Sequence, residues 1–279
     1  MLHEEDYLTS SDGLRLYRQS WLPDGPPKAV VVLVHGFTEH SGRYAPVAEE
    51  LNRHGHAVDA IDLRGHGRSE GARTSIRSFD QYLADSRALL DFTARRRPGC
   101  PRILFGHSLG GLIAARWAIE DGQADVRGVV LSGPGLRVAR NVFPWLRQLT
   151  PALNLLLPRL RLVRMGCRNL SRDDSAVEQF RSDPLGCHGR FPVRTAAEIM
   201  RAGRQTLEKA ERLRRPLLIL QGTGDHVVDV DAVGEFFRRA SSADKTLKLY
   251  DGFYHELFTD PDRRQVLDDL LAWLQSHAS

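Results

Sequence analysis

The residues with the most chemistry to offer are a serine, an acid and a histidine in that chain order. Ser108 sits in Gly106-His107-Ser108-Leu109-Gly110, a GxSxG pattern between the apolar run Arg102 to Phe105 and the helical pattern Gly110 to Ile119. A serine hydroxyl is a poor nucleophile until a base removes its proton, and the resulting imidazolium needs a carboxylate to orient and stabilise it. Where GxSxG joins a strand to a helix, the acid and then the histidine follow on loops at the carboxyl ends of later strands. Asp225 follows the run Pro216 to Gln221 through Gly222-Thr223-Gly224, and His255 follows Thr246 to Tyr250 through Asp251-Gly252-Phe253-Tyr254. His226 shares a loop with Asp225 and so is badly placed to lie between that acid and Ser108. His277 belongs to the terminal helix or tail. Asp229 and Asp251 read as a helix cap and a turn residue. The expected chemistry is attack of Ser108 on an acyl carbonyl, with His255 as base and Asp225 as its acid.

Such an attack places negative charge on the former carbonyl oxygen, which requires preorganised N–H donors. One is the backbone N–H of Leu109, at a helix N-terminus. The other is expected from the loop after Val30 to Val34, where His35-Gly36-Phe37-Thr38 makes Phe37 the choice. His35 reads as a structural histidine that fixes this loop. The glycines at 106 and 110 have a steric reason, since a tight turn that projects the serine hydroxyl leaves no room for side chains beside it.

The elements that must hold these residues follow from the apolar pattern. Asp12-Gly13 marks a turn before a strand over Leu14 to Trp21, the second strand of an N-terminal hairpin. The continuous β-branched run Ala29 to Val34 reads as a strand covered on both faces, and further apolar runs at Ala57 to Leu63, Arg102 to Phe105, Val126 to Leu131, Pro216 to Gln221 and Thr246 to Tyr250 read as strands. Helical patterns at Phe79 to Arg95, Gly110 to Ile119 and Val230 to Ala240 alternate with them. That alternation predicts an α/β fold, a mostly parallel sheet with helices on both faces. It breaks once, between Leu131 and Pro216. Residues 133–191 are rich in Pro and Arg with no strand candidate, and are expected to form an inserted helical cap on a core of residues 1–132 and 192–279. Thr195 with Glu198 three residues on reads as a capping box for the next helix.

Composition limits what such a chain can do. With 279 residues, 42% hydrophobic and 27% charged, it can bury a sizeable core and is not a disordered chain. Its formal charge of +4 is too small to argue for nucleic acid. The excess is nevertheless localised: from Val126 to Arg172 there is no Asp or Glu but nine arginines. Cys100, Cys167 and Cys187 show no CxxC spacing, so neither a disulfide framework nor a zinc site is expected. Asp62-Leu63-Arg64-Gly65-His66-Gly67-Arg68-Ser69 lacks the spacing of a phosphate-binding loop and reads as structural. The acidic start, Met1 to Asp6, has no apolar run behind it. A cytoplasmic location is therefore the expectation, with peripheral membrane association through the cap as a further one.

His35-Gly36-x-x-Glu39-His40-Ser41-Gly42-Arg43-Tyr44, Arg64-Gly65-His66-Gly67-x-Ser69-x-Gly71, Gly106-His107-Ser108-Leu109-Gly110-Gly111 and Gln221-Gly222-x-x-Asp225 together resemble the monoacylglycerol lipase and lysophospholipase branch of the α/β-hydrolase superfamily. Leu170-Ser171-Arg172 followed by Ser182-Asp183-Pro184-Leu185 is similar to that branch's cap. The resemblance covers the chain from about Gly13 to the last helix. It implies an α/β-hydrolase fold with an eight-stranded sheet and a cap, a carboxylic ester hydrolase acting through an acyl-enzyme on monoacylglycerol-type or lysophospholipid-type esters, and no metal or organic cofactor. It implies Ser108, Asp225 and His255 as the triad and Phe37 and Leu109 as the oxyanion hole. Glu39 and Arg43 match positions near the alcohol end of the pocket, and Leu146 and Leu153 are the expected cap contacts to substrate. The branch usually has a small residue at 37 and often Gly at 38, so Phe37-Thr38 leaves the identity of the alcohol open. A short-chain carboxylesterase, an S33-type aminopeptidase and a non-catalytic receptor are the alternatives. An aminopeptidase needs an acidic grip on a free amine, which the acid-free first part of the cap does not favour. Haloalkane dehalogenases and epoxide hydrolases use an Asp nucleophile, and Ser108 excludes both. The expected partners are a lipid ester and an anionic lipid surface, met by the leucines and arginines of 142–165; no nucleic-acid partner is expected.

Overall fold

The computed structural model describes residues 2–120, 126–139, 150, 153–167 and 169–278. Ten strands are present among them: β1 (Leu2–Thr9), β2 (Arg15–Leu22), β3 (Val30–Val34), β4 (Ala57–Ile61), β5 (Arg102–His107), β6 (Gly128–Ser132), β7 (Arg161–Val163), β8 (Phe191–Pro192), β9 (Leu217–Gly222) and β10 (Lys245–Tyr250). Eight of them form one sheet in the order β1-β2-β4-β3-β5-β6-β9-β10. The β1–β2 hairpin joins it antiparallel, and every pairing from β4 to β10 is parallel.

The central strands are apolar on both sides because both sides are covered. Val32, Val34, Leu104, Leu131 and Ile219 enter one cluster with α2 (Asp80–Arg96), α3 (Leu109–Glu120), α5 (Val193–Glu208) and α6 (Val230–Arg239). Val31, Leu33, Ile103, Phe105, Val130, Leu218 and Leu220 enter the other with α1 (Ala45–Arg53) and α7 (Arg264–His277). Alternate residues of one strand thus serve opposite layers, so polar alternation is absent. β1 is an edge strand, largely exposed, and its run of Glu4, Glu5 and Asp6 discourages pairing with another chain. No helix of the described residues is long and apolar enough to cross a membrane.

Chain order reverses at β3, whose neighbours are β4 and β5. Loops leaving the carboxyl ends of strands on either side of such a point diverge and open a crevice there. The loop after β3 carries Phe37, and the turn after β5 carries Ser108.

The segment between β6 and β9 departs from the sequence reading in two ways. It contains an antiparallel ladder, β7 on β8, where no strand was expected. Strands of three and two residues, one starting at Arg161 and the other ending at Pro192, carry too little periodicity to be seen. Thr195 and Glu198 do not make a capping box. Pro192 precedes α5 without a side-chain cap, while Thr195 Oγ1 accepts from the Ile76 N–H and a Glu198 carboxylate oxygen from the Phe79 N–H, at 3.3 and 3.0 Å. The pair therefore pins the backbone that leads into α2. Among the described residues this segment also carries α4 (Asp174–Ser182), capped by Asp173.

The Asp62 to Ser69 loop is structural, as its spacing suggested. Asp62 accepts from the Ser41 N–H, the Ser41 hydroxyl and the Arg68 N–H. The buried Arg64 guanidinium is shared between Asp85 and Asp12.

Candidate active site

Ser108 ends the turn from β5 into α3 with φ at 52°, a left-handed conformation that is uncommon for a residue with a side chain. The neighbouring glycines allow it. A Cβ on Gly110 would lie 2.0 Å from the Val34 carbonyl oxygen, and one on Gly106 would lie 2.1 Å from the Gly110 carbonyl oxygen. The turn is locked on both sides: the Ser108 N–H donates to the Ser132 carbonyl and the Gly135 N–H donates to the Ser108 carbonyl.

Three loops bring the expected partners together. His255 Nε2 is 2.8 Å from Ser108 Oγ, and His255 Nδ1 is 2.7 Å from Asp225 Oδ2. Burial raises the cost of the Asp225 charge, but His255 and the N–H groups of Val227 and Val228 outweigh it and hold the carboxyl below the usual Asp range. An ionised Asp225 takes the Nδ1 proton as acceptor, which leaves Nε2 bare towards the Ser108 hydroxyl. The rivals lie elsewhere. His226 is exposed and edge-on to Tyr254, and His277 pairs with Asp244. Asp229 caps α6, and Asp251 accepts from Thr223.

Leu109 opens α3, where the first N–H groups have no partner inside the helix. Phe37 follows β3, with its ring buried against Phe191 and His66 at centroid distances of 4.8 and 5.4 Å. Its bulk is thus taken up between the core and β8. Thr38, at φ 69°, occupies the left-handed region in which glycine is at ease. His35 fixes the loop, as expected. Its Nε2 accepts from the Leu63 N–H, so Nδ1 carries the proton and donates to the Gly36 carbonyl. Burial keeps its proton affinity low.

Glu39 and Arg43 lie behind this loop. The Glu39 carboxylate accepts from the Gly36 N–H, the Tyr44 hydroxyl and Arg43 Nε, and it is 2% exposed. Both of its oxygens are thus held by protein donors, while the Arg43 guanidinium lies over the Phe180 ring. Leu153 is half-buried against the larger core cluster, and Leu146 lies outside the described residues. The sequence reading did not single out Glu256 or the partner of His107. His107 Nε2 stands 3.4 Å from a Glu256 carboxylate oxygen, and the His107 and His255 ring centroids are 4.9 Å apart. Their adjacency to His255 and Ser108 in the chain was the only available signal. Glu39, His107 and Glu256 have metal-ligating atoms within 4.8 Å of one another, but the Arg43 cation already pairs with Glu39 there.

Two stretches of the 133–191 segment dock on the site's loops. Cys187 N–H donates to the Thr38 carbonyl, and Asp183 pairs with His40 at 2.9 Å. On the other side, the Glu256 N–H donates to the Leu170 carbonyl and Arg172 grips Asp260. A separate cavity of about 660 Å³ opens between Gly135–Val138 and α5, lined by Ile199, Met200 and Leu207 with Arg137, Arg201 and Arg239. None of Ser108, Asp225 and His255 lines it.

Residues 25–262 match the model of a family described as serine aminopeptidase, S33. Over 265 residues the chain is 36% identical to the monoacylglycerol lipase of Mycolicibacterium smegmatis, covering 95% of this chain and 94% of that protein. It is 35% identical to the human monoglyceride lipase, over 98% of this chain and 91% of the other. Among solved structures it is similar to the monoacylglycerol lipase of Paleococcus ferrophilus, with a TM-score of 0.85, 33% identity, and coverage of 94% of this chain and 99% of that one.

Proposed function

The chain belongs to the α/β-hydrolase family described as serine aminopeptidase, S33, and on that premise we propose that it is a serine ester hydrolase acting on monoacylglycerol-type esters. The observation that carries the reading is the hydrogen-bonded line from Ser108 through His255 to Asp225, set at the carboxyl ends of β5, β9 and β10. His255 takes the Ser108 proton as the hydroxyl oxygen attacks the ester carbonyl. The oxyanion is met by the N–H groups of Leu109 and Phe37. His255 then gives its proton to the leaving alcohol, and an acyl-enzyme remains. Water deprotonated by the same imidazole attacks that ester, and the fatty acid leaves Ser108.

The substrate class is supported by the names of the relatives, over nearly the full length of both chains. An aminopeptidase would need a free carboxylate for the substrate amine. Glu39 is held by Gly36, Tyr44 and Arg43, and Glu256 faces His107. Residues 133–191 act as a cap in this reading, supported by their bonds to Thr38, His40 and Glu256. The free thiols of Cys100, Cys167 and Cys187 are compatible with the reducing cytoplasm in which we place the chain.

The cap also offers a surface to lipid. Leu155 and Leu156 are 83% and 73% exposed, with Leu157 and Leu160 exposed beside them and Arg159, Arg161 and Arg164 around them. Leucines that dip into acyl chains between arginines that meet anionic head groups account for that pattern.

The decisive assay compares monoacylglycerols and p-nitrophenyl esters of graded chain length with aminoacyl amides. Monoacylglycerol turnover is expected, with a loss of about 10⁴-fold or more in kcat/KM for Ser108→Ala. Preference for aminoacyl amides, or turnover that survives Ser108→Ala, would overturn the reading.

A further inference from the structure

A second set of ionisable groups lies directly behind the triad. His107 precedes the nucleophile, Glu256 follows the histidine, and the pair approaches to 3.4 Å. His107 is 2% exposed, so its charge state is set by protein neighbours. Its Nδ1 is 3.1 Å from the Ser132 hydroxyl at the end of β6, which can accept from it, while its Nε2 is buried with no hydrogen-bond partner and faces the Glu256 carboxylate as a charge contact. The groups that face it come from every surrounding loop. His255 and Asp225 lie on one side, and Glu39, with Arg43 and Tyr44 bonded to it, lies on the other.

We propose that His107 and Glu256 are positioning residues that form a buried ion pair behind His255, balancing the local charge so that the base faces neither a lone cation nor a lone anion. The inference rests on the reading of Ser108, His255 and Asp225 as the triad. Its physical basis is proximity. During turnover His255 becomes cationic 4.9 Å from the His107 ring, and a like charge at that distance in a buried site opposes its protonation unless an anion cancels it. Glu256, the residue after His255, stands 3.4 Å from His107 Nε2 and supplies that anion. Burial works against the His107 cation, but Glu256, Glu39 and Asp225 outweigh it and carry its proton affinity up to about 9. Burial likewise opposes the Glu256 anion, and His107, Arg43 and His255 bring it down to about 2. Both members are therefore charged across the pH range in which a serine hydrolase works.

The pair's charges have opposite signs, which separates this role from a packing role. Protonation of the base in the free enzyme sets the acid limb of the kcat/KM profile. Glu256→Gln removes the anion and, with Glu39 and Asp225 still holding the His107 proton, leaves that cation to repel a proton from His255, so the limb moves to lower pH. His107→Asn keeps a donor for Ser132 but leaves Glu256 to attract that proton, so the limb moves to higher pH. Each displacement is expected to be about one pH unit, as for a unit charge about 5 Å away at an effective dielectric constant of several tens. The double variant is expected to return close to the wild-type midpoint. Histidine side-chain ¹⁵N–¹H spectra of the wild type give a second readout that needs no variant to fold: His107 should carry protons on both ring nitrogens at pH 7.5. Displacements of the same sign, no displacement, or a singly protonated His107 at pH 7.5 overturn the inference. Turnover that survives Ser108→Ala overturns instead the triad reading beneath it.

Discussion

At the scale of single residues, the site depends on acceptors and donors that meet without a spare partner. Asp225 illustrates this. One of its oxygens accepts from two backbone N–H groups, of Val227 and Val228, and the other from Gln221 Nε2 and His255. An amide in its place must turn an NH₂ towards a donor, and it removes the charge that keeps the His255 proton on Nδ1. We expect Asp225→Asn to lower kcat by about 10⁴-fold with KM little changed, measured on a soluble p-nitrophenyl ester. A loss of less than tenfold would assign the orienting role elsewhere. Ser108, Asp225 and His255 were legible in the sequence because chain order and strand ends single them out. The commitment of Glu39 was not, because its partners Gly36, Arg43 and Tyr44 are reached only when the loop after β3 folds back on itself. The pairing of His107 with Glu256 spans 149 residues of sequence, and no local pattern reports it.

At the scale of elements, the β5–α3 turn is a tightly constrained joint. Ser108 holds a strained φ because α3 must start at once and pass within contact of β3. Adding one methyl group at Gly110 brings it to 2.0 Å from the Val34 carbonyl oxygen and 2.6 Å from that of His35, both fixed main-chain atoms. Gly110→Ala is therefore expected to cost more than about 3 kcal/mol in unfolding free energy, read by urea denaturation, and to abolish ester turnover in what remains folded. Alanine at Gly234, which faces only the end of the Arg238 side chain at 3.5 Å, serves as the neutral comparison on a helix. The central strands were readable because burial on both faces writes a continuous apolar run. The β7–β8 ladder was not readable, and Thr195 and Glu198 carried a helix-start pattern that tertiary contacts reassigned to the backbone of Ile76 and Phe79. Short polar side chains satisfy whichever backbone donors the fold brings near them.

At the scale of the whole molecule, the uneven charge acquires a location. Part of the acid-free stretch is neutralised by distant acids: Arg137 pairs with Asp229 and Glu235, and Arg172 with Asp260 and Asp262. Arg159, Arg161 and Arg164 remain at the surface beside the exposed leucines. We expect the protein to sediment with vesicles containing anionic lipid, less so as salt rises from 0.05 to about 0.5 M, since Debye screening shortens the reach of those arginines. Replacing Leu155 and Leu156 together by Asp should weaken vesicle binding by about tenfold or more while turnover of a soluble ester stays unchanged. Binding that is insensitive both to salt and to that double replacement would reject the lipid-surface reading.

Taken alone, the sequence determined the fold class, the places along the chain of the strands that carry the site, and the three residues proposed here as the triad. Each of these is written in local terms: apolar runs, glycine-bounded turns, and polar residues placed just past a strand end. Only the tertiary structure decided which polar groups are consumed by one another. It assigned Glu39 to the loop that holds Phe37, Thr195 and Glu198 to the entry of α2, and Glu256 to His107. The physical reason is that a buried polar group is satisfied by whatever lies within about 3 Å of it, and over long sequence separations that neighbour is chosen by packing.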